Sequence, residues 1–331
     1  MTTPGRRIGV SIVLPNRNHG RETEETIRRF LAQTRPPDEI VVVDDASQDD
    51  SVDRLQRLVQ AHPVVKVMSN ADHRQVPSCV NQGVAAARGE FILMAAANDR
   101  RSVDMIERLV DAAMRFPAAR LIVSVNGEWD AEARLLRSFD RASERGFWFL
   151  DGPEQVSEIS AERFHRILRA GPVPLGIGTA LIRRDALMEV GTYLPDLRWH
   201  SDWFAIHAIA FRYGFCALDA NLCWNRGSDG SYSSRGMQDR VRQSEVVLNI
   251  VKRLHSPQFA YLRRSLERSP AAMATFMRTL LPALAVRPRY GAMFLKVLTW
   301  WLGEVAGGRR PDALRRLCAR LGLGRGLGPV S

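Results

Sequence analysis

The sequence predicts an α/β fold: a doubly wound, mostly parallel sheet followed by a helical C-terminal extension. Three observations predict it. Short β-branched runs alternate with helix-patterned segments of about 10–15 residues through the first 125 positions, the signature of a parallel sheet with crossover helices. Polar clusters, not glycine-rich turns, follow those runs. Helix-patterned, strongly basic sequence then fills the C-terminal part, dividing the chain into residues 1–236 and 237–331.

The elements follow in order. GVSIVLP (9–15) is a short apolar run ending in proline and reads as a buried strand. Ile27, Phe30 and Leu31 recur at helical spacing before Pro36-Pro37. EIVVVDD (39–45) and VVKVM (64–68) are the second and third strands. Between them lies a helix carrying Val52, Leu55, Leu58 and Val59, with Asp50 or Ser51 as its cap. Val76 to Ala87 suits a helix, and EFILMA (90–95) a fourth strand. Ser102 should cap a helix with Val103, Ile106, Leu109, Val110 and Ala113 on one face, and RLIVSV (120–125) is a fifth strand. Residues 127–172 lack clear periodicity. PLGIGTALIRRDALMEVG (174–191) reads as a strand and a short helix, and Ser201 to Arg212 as a helix. NRGSDGSYSSRG (225–236) reads as a flexible loop. Helical segments are expected at 238–254, 257–285, 290–306 and 311–322.

Composition narrows the function. The 331 residues carry a net charge of +11, yet residues 239–331 alone hold 17 Lys+Arg against 5 Asp+Glu. No basic-aromatic module or zinc finger accompanies that excess, so nucleic acid is not the expected partner. Cys79, Cys216, Cys223 and Cys318 form no C-x-x-C pair, which fits a reducing cytoplasm. The opening apolar run is too short and β-branched for a signal peptide. In the tail, GAMFLKVLTWWLGEVAGG (291–308) is interrupted by Lys296 and Glu304 and is no convincing membrane span. Trp300 and Trp301, and the Leu314, Leu317, Cys318, Leu321 stripe beside Arg315, Arg316 and Arg320, suit an anionic membrane surface. Packing onto the rest of the chain, or forming a dimer, is the competing reading.

Ligands of open α/β sheets bind beyond the carboxyl ends of the strands. The residues there are Pro15-Asn16-Arg17-Asn18, Asp44-Asp45 and Asn98-Asp99. None forms a G-x-G-x-x-G turn or a P-loop, which argues against a dehydrogenase or P-loop NTPase.

VSIVLPNRN, EIVVVDDASQDDS, NQGVAAARGEFILM and the AAND that follows resemble, in register, the motifs of family 2 glycosyltransferases. The resemblance spans roughly residues 8–235 and implies the nucleotide-sugar-binding fold called glycosyltransferase A. It implies inverting transfer from a nucleotide-diphospho sugar, commonly a UDP-sugar, to a glycan or lipid-linked acceptor, with Mn²⁺ or Mg²⁺ as cofactor. It further implies nucleotide-sugar contacts at Pro15, Asn18, Asp44, Asp45, Asn81 and Asn98. Asp44 is the first choice for the base of the nucleotide. The family's Asp-x-Asp cluster is degraded here: Ala96 stands at its first place and Asn98 at its second, leaving Asp99 as the metal ligand. A divalent ion bridging two phosphates stabilises the charge of the departing nucleoside diphosphate. WHSDWF (199–204) carries Asp202 where the family's general base stands. Arg226 and Arg235 flank the Gly/Ser stretch and are placed to close over the diphosphate.

The Q-x-x-R-W signature of processive synthases is absent, which favours one sugar per encounter. The rival reading is a non-catalytic nucleotide-sugar-binding or scaffold relative in surface-polysaccharide assembly. A nucleotidyltransferase would want a Gly-rich basic loop after the first strand, which PNRNHG does not supply.

Overall fold

The computed structural model describes residues 7–130, 135–138, 147–150, 155–171, 173, 175–226, 231–276, 280 and 290–306. Strands β1 (Val10–Asn16), β2 (Glu39–Asp44), β3 (Val65–Ser69) and β4 (Phe91–Met94) pair parallel in the order β3-β2-β1-β4. Their crossovers are α1 (Gly20–Leu31), α2 (Ser51–Ala61) and α3 (Val76–Ala86). This half is as the periodicity predicts.

The other half is mixed. β5 (Arg100–Arg101) and α4 (Met105–Arg115) lead into β6 (Leu121–Asp130) and β7 (Leu135–Ser138). β8 (Val156–Ile159), α5 (Ala161–Ala170), β9 (Ala180–Arg183), α6 (Arg184–Glu189), α7 (Ser201–Tyr213) and β10 (Phe215–Arg226) follow. β9 inserts antiparallel between β4 and β6, β10 runs parallel to β6, and β5 lies antiparallel on β10. The stretch 127–172 therefore contains strands and a helix that its weak periodicity concealed.

Alternation along the strands divides the core. Ile12, Leu14, Ile40 and Val42 face one side with α1, α2 and α4, while Val13, Met94, Val123 and Ile182 face the other with α3 and α7. β1, β2 and β4 thus bury both faces, which explains their apolar runs.

The C-terminal helices α8 (Tyr232–Gln238), α9 (Arg240–Leu254), α10 (Ala260–Arg268) and α11 (Gly291–Ala306) pack beyond the α7 face. Part of the stretch predicted as a flexible loop is thus α8, begun by the Ser231 side chain accepting from the Ser234 amide at 3.1 Å. Its Gly236 permits contact: a Cβ there would fall 2.2 Å from the Trp199 ring.

Other expectations need correction. Val103 is 57% exposed and lies outside α4, which Asp104 precedes, with Ser102 hydrogen-bonded to Asp104. Before α2 it is Asp49 that accepts the Ser51 amide, at 3.1 Å; neither Asp50 nor Ser51 makes a side-chain cap. Trp300 is half-buried and packs against the core, while Leu295 and Leu302 of α11 are exposed. The Trp301 side chain and residues 311–322 lie outside the described residues. No described helix is long and apolar enough to cross a membrane.

Candidate active site

β1, β2 and β4 are adjacent and parallel, so the polar residues after each meet at one sheet edge. Asp44 is buried there. It accepts from Asn16 Nδ2 and Ser47 Oγ, both at 2.6 Å, and from the Ser47 amide at 3.0 Å. Ala46 and Asn18 hold left-handed backbones (φ 57° and 53°), and Asn18 Oδ1 accepts the Gln48 amide at 2.7 Å. Pro15 ends this rim, half-buried beside Asn16.

Asp45 closes a second turn. Its carboxylate accepts from His73 Nδ1 (2.6 Å), the Arg74 and Gln75 amides (2.7 and 2.9 Å) and Asn70 Nδ2 (3.3 Å). Burial alone would raise its pKa. The Arg74 amide, His73 and Asn70 outweigh burial and hold it below its ordinary value. These donors take up Asp45, whereas Asp44 Oδ2 accepts the Ser47 amide alone among the described residues.

The segment after β4 is braced by α1. Thr26 Oγ1 donates to the Ala97 carbonyl at 2.6 Å, and Gln33 bonds the Ser102 carbonyl and the Ile106 amide. These contacts present Asn98 half-buried and Asp99 buried. Arg101 Nη2 lies 3.4 Å from Asp99 Oδ2, and their side chains are only 5% and 10% exposed. The Arg101 guanidinium rests over the Phe30 ring at 4.9 Å, and its Nε is buried without a partner. Burial pushes the Asp99 carboxyl up from its ordinary value, opposed by the Arg101 charge and a bond from the Arg226 backbone. That bond brings Arg226, at the end of β10, to the site. Residues 227–230 after it lie outside the described residues, and the exposed Arg235 sits beyond on α8.

A hard divalent ion needs oxygen ligands, but one or two protein carboxylates suffice when phosphates supply the rest. Asp99 offers one, and no group of three His, Cys, Asp or Glu gathers elsewhere among the described residues. With Arg101 already opposing Asp99, this set suits an ion arriving on a diphosphate and fits an ion held by protein alone poorly.

Asp202 stands in the first turn of α7. It is half-buried, and its Oδ1 accepts the Trp203 amide at 2.6 Å. Burial pushes its carboxyl up to about 6, against the Trp203 amide and its own backbone. Ser201 Oγ donates to the Leu194 carbonyl at 2.7 Å, fixing the helix start. Just before it, Gln243 Oε1 of α9 accepts Trp199 Nε1 at 2.7 Å, and Gln243 lies 3.0 Å from His200 Nε2. Burial holds His200 down at about 4, so it is neutral at pH 7. Tyr232 is the nearest sequence-silent group. Its hydroxyl is buried without a partner, and burial pushes it up to about 12, with Arg198 lowering and Asp202 raising it. The 177–179 turn lies between Asp99 and α7: α7 touches it, and a Cβ on Gly178 would lie 3.6 Å from Asp99 Oδ2.

Asn81 behaves differently from expectation. Its Nδ2 donates to the Tyr193 carbonyl at 2.8 Å and its Oδ1 accepts the Tyr193 amide at 2.9 Å. Both ends of the amide are used in tying α3 to the segment before Asp202. Arg101, Arg198, Tyr232 and Gln243 were not singled out from sequence. Only the Arg100-Arg101 pair directly after Asp99 was a local signal for any of them.

This cleft of strand-end carboxylates beside a helix-borne carboxyl is that of a nucleotide-sugar enzyme fold. The chain matches Glycosyl transferase family 2 over residues 11–191 and belongs to that family. It is 29% identical over 220 residues to an uncharacterised glycosyltransferase of Nostoc sp., covering 66% of this chain and 64% of the relative. It thus spans less than two thirds of that relative's length. A putative teichuronic acid biosynthesis glycosyltransferase of Bacillus subtilis, TuaG, is 25% identical, over 74% of this chain and 89% of TuaG. S. aureus TarS 1–349 in complex with UDP superposes with a TM-score of 0.57 at 16% identity, covering 86% of this chain and 77% of that one. The mannosyltransferase PcManGT from Pyrobaculum calidifontis, in complex with GDP-Man and Mn²⁺, gives 0.52 at 18% identity, covering 91% and 85%. The fold is glycosyltransferase A.

Proposed function

We propose that the protein is an inverting glycosyltransferase that moves a sugar from a nucleotide-diphospho donor, a UDP-sugar, to a glycan or lipid-linked acceptor. The observation that carries this is Asp202. It is a carboxylate raised to about 6 by burial, at the start of a helix that touches the turn bordering Asp99. A base poised near neutral pH is what single displacement asks for.

In this reading Pro15, Asn18 and Asp44 hold the nucleoside, Asp45 fixes the 73–75 turn beside them, and Asn98 meets the ribose. Asp99, with Arg226 and Arg235, faces the diphosphate. Asn81 acts through Tyr193. Asp202 takes the proton from the acceptor hydroxyl as its oxygen bonds to the anomeric carbon. The bond from that carbon to the phosphate oxygen breaks, and the nucleoside diphosphate leaves with the electron pair. A divalent cation carried on the donor, with Asp99 as its protein ligand, supplies positive charge to the leaving diphosphate. Printed functions of relatives support the acceptor class: several matching fragments belong to undecaprenyl-phosphate 4-deoxy-4-formamido-L-arabinose transferases, at 33–35% identity over about a third of this chain. Incubation with UDP- and GDP-sugars, with and without manganese, should consume one donor in a manganese-dependent way. No consumption and no binding of any donor would favour the scaffold reading.

The site is assigned to the cytoplasmic face of an anionic membrane. The exposed Leu295 and Leu302 of α11 and the basic sequence after it support that placement. The protein should sediment with anionic vesicles at low salt and be released as salt screens its arginines. Indifference to such vesicles would refute it.

A further inference from the structure

A cavity of 310 Å³ lies between the start of α3, the 195–200 turn and α9. Its polar walls include Arg74, Gln75, Asp196, Arg198, Glu245 and Asn249. Two of these hold backbones that side-chain-bearing residues rarely adopt: Gln75 at φ 70°, ψ 158° and Arg198 at φ 46°, ψ −120°. Such strain persists only where the surroundings enforce it, and it gathers at ligand clamps. The enforcing contacts are visible. Asp45 accepts both the Arg74 and Gln75 amides, while Leu197 is buried and Gln243 bonds Trp199 and His200 immediately after Arg198. Both arginines are thus presented to one cavity by fixed backbone.

Neither guanidinium has an ion-pair partner among the described residues, in contrast to Arg54, Arg101, Arg212 and Arg253. The acids opposite do not balance them. Asp196 is already neutralised by Arg253, which donates to both its oxygens at 3.0 Å. Glu245 is exposed at the rim. Two free guanidiniums against one free carboxylate leave the cavity cationic, and arginine's planar fork matches phosphate and carboxylate oxygens.

Position assigns the ligand. Arg198 stands four residues before Asp202, and the 195–200 turn that carries it packs on both α7 and α8. The donor's diphosphate belongs beside Asp99, across the 177–179 turn. A group held at Arg198 is therefore on the acceptor side. We propose that this cavity is an oxyanion subsite for the acceptor, in which a phosphate or carboxylate docks between Arg74 and Arg198 while the acceptor hydroxyl meets Asp202. The proposal rests on Asp202 being the base and deepens it to an acidic acceptor.

Calorimetric titration with the donor site filled tests it. Full-length protein saturated with UDP or GDP, whichever binds, is titrated with geranyl phosphate and, separately, with a glucuronate-containing disaccharide. Geraniol and a neutral disaccharide are the controls. One acidic probe should bind and its control should not, and which one binds identifies the source as lipid phosphate or acidic sugar. Arg198→Gln should weaken that binding about tenfold or more, and Glu245→Gln should strengthen it a few-fold, with nucleotide affinity changed less than about twofold in either. Arg74→Gln, altering an exposed side chain, gives the same reading if Arg198→Gln does not fold. Failure of both acidic probes to bind, or loss of nucleotide in place of the acidic probe in both arginine variants, overturns the proposal. If neither nucleotide binds the wild type, the glycosyltransferase reading falls separately, and titration of the nucleotide-free protein still decides the cavity.

Discussion

Asp202→Asn should lower transfer by ~10²–10⁴ while donor affinity stays within a few-fold, because the amide keeps the shape but cannot take the acceptor's proton. The same variant should be more stable than wild type at neutral pH. Burial raises the Asp202 carboxyl from 3.8 to about 6, so the folded state binds its proton more tightly than the unfolded chain. Wild-type stability therefore falls as pH rises through that window, by up to about 3 kcal/mol once the carboxylate is fully ionised. Asparagine removes this cost. Its melting temperature should exceed the wild type's most clearly above pH 6, with the gap closing toward pH 4. Lower stability at pH 7.5 together with lost donor binding would make Asp202 a structural residue.

Asp99 should give the second large effect, and the choice of substitution matters. Asp99→Asn keeps a polar partner for Arg101 and removes the carboxylate that faces the donor's cation. Transfer should drop by about 10²-fold or more, and manganese should no longer strengthen donor binding. Asp99→Ala also strands Arg101, buried over Phe30, and so should cost about 3–5 kcal/mol of stability besides. Asn98→Asp adds a second carboxylate at the same edge and should keep or raise activity. Transfer by Asp99→Asn at the wild-type rate, with manganese dependence intact, would remove Asp99 from the site.

Much of this could be read from local pattern, for physical reasons. β1, β2 and β4 are buried on both faces, so composition alone marks them, and the polar residues at their ends follow directly. β9 and β10 were harder to place because their partners come from distant parts of the chain, and an antiparallel insertion leaves no mark on periodicity. Arg101 shows the limit within the site. Two consecutive arginines after Asn98-Asp99 carry no mark of which one is buried, and it is the short pairing of β5 with β10 that sets Arg101 over Phe30 and against Asp99. Gly236 misled in the opposite way. In a Gly/Ser stretch it suggested flexibility, but it is needed because α8 approaches the Trp199 ring too closely for any side chain. The bonds of Gln243 to Trp199 and His200, just before Asp202, span 44 and 43 positions and depend on how α9 docks, which no local pattern encodes.

The central claim is that Asp202 acts as a base in sugar transfer from a nucleotide donor. The most direct measurement is nucleoside diphosphate release against pH, with donor and acceptor saturating. With Asp202 as the base, the profile should be a single limb that rises with pH and has its midpoint near 6, absent in the residual activity of Asp202→Asn. A wild-type profile flat from pH 5 to 8, or the same limb surviving in Asp202→Asn, would contradict it.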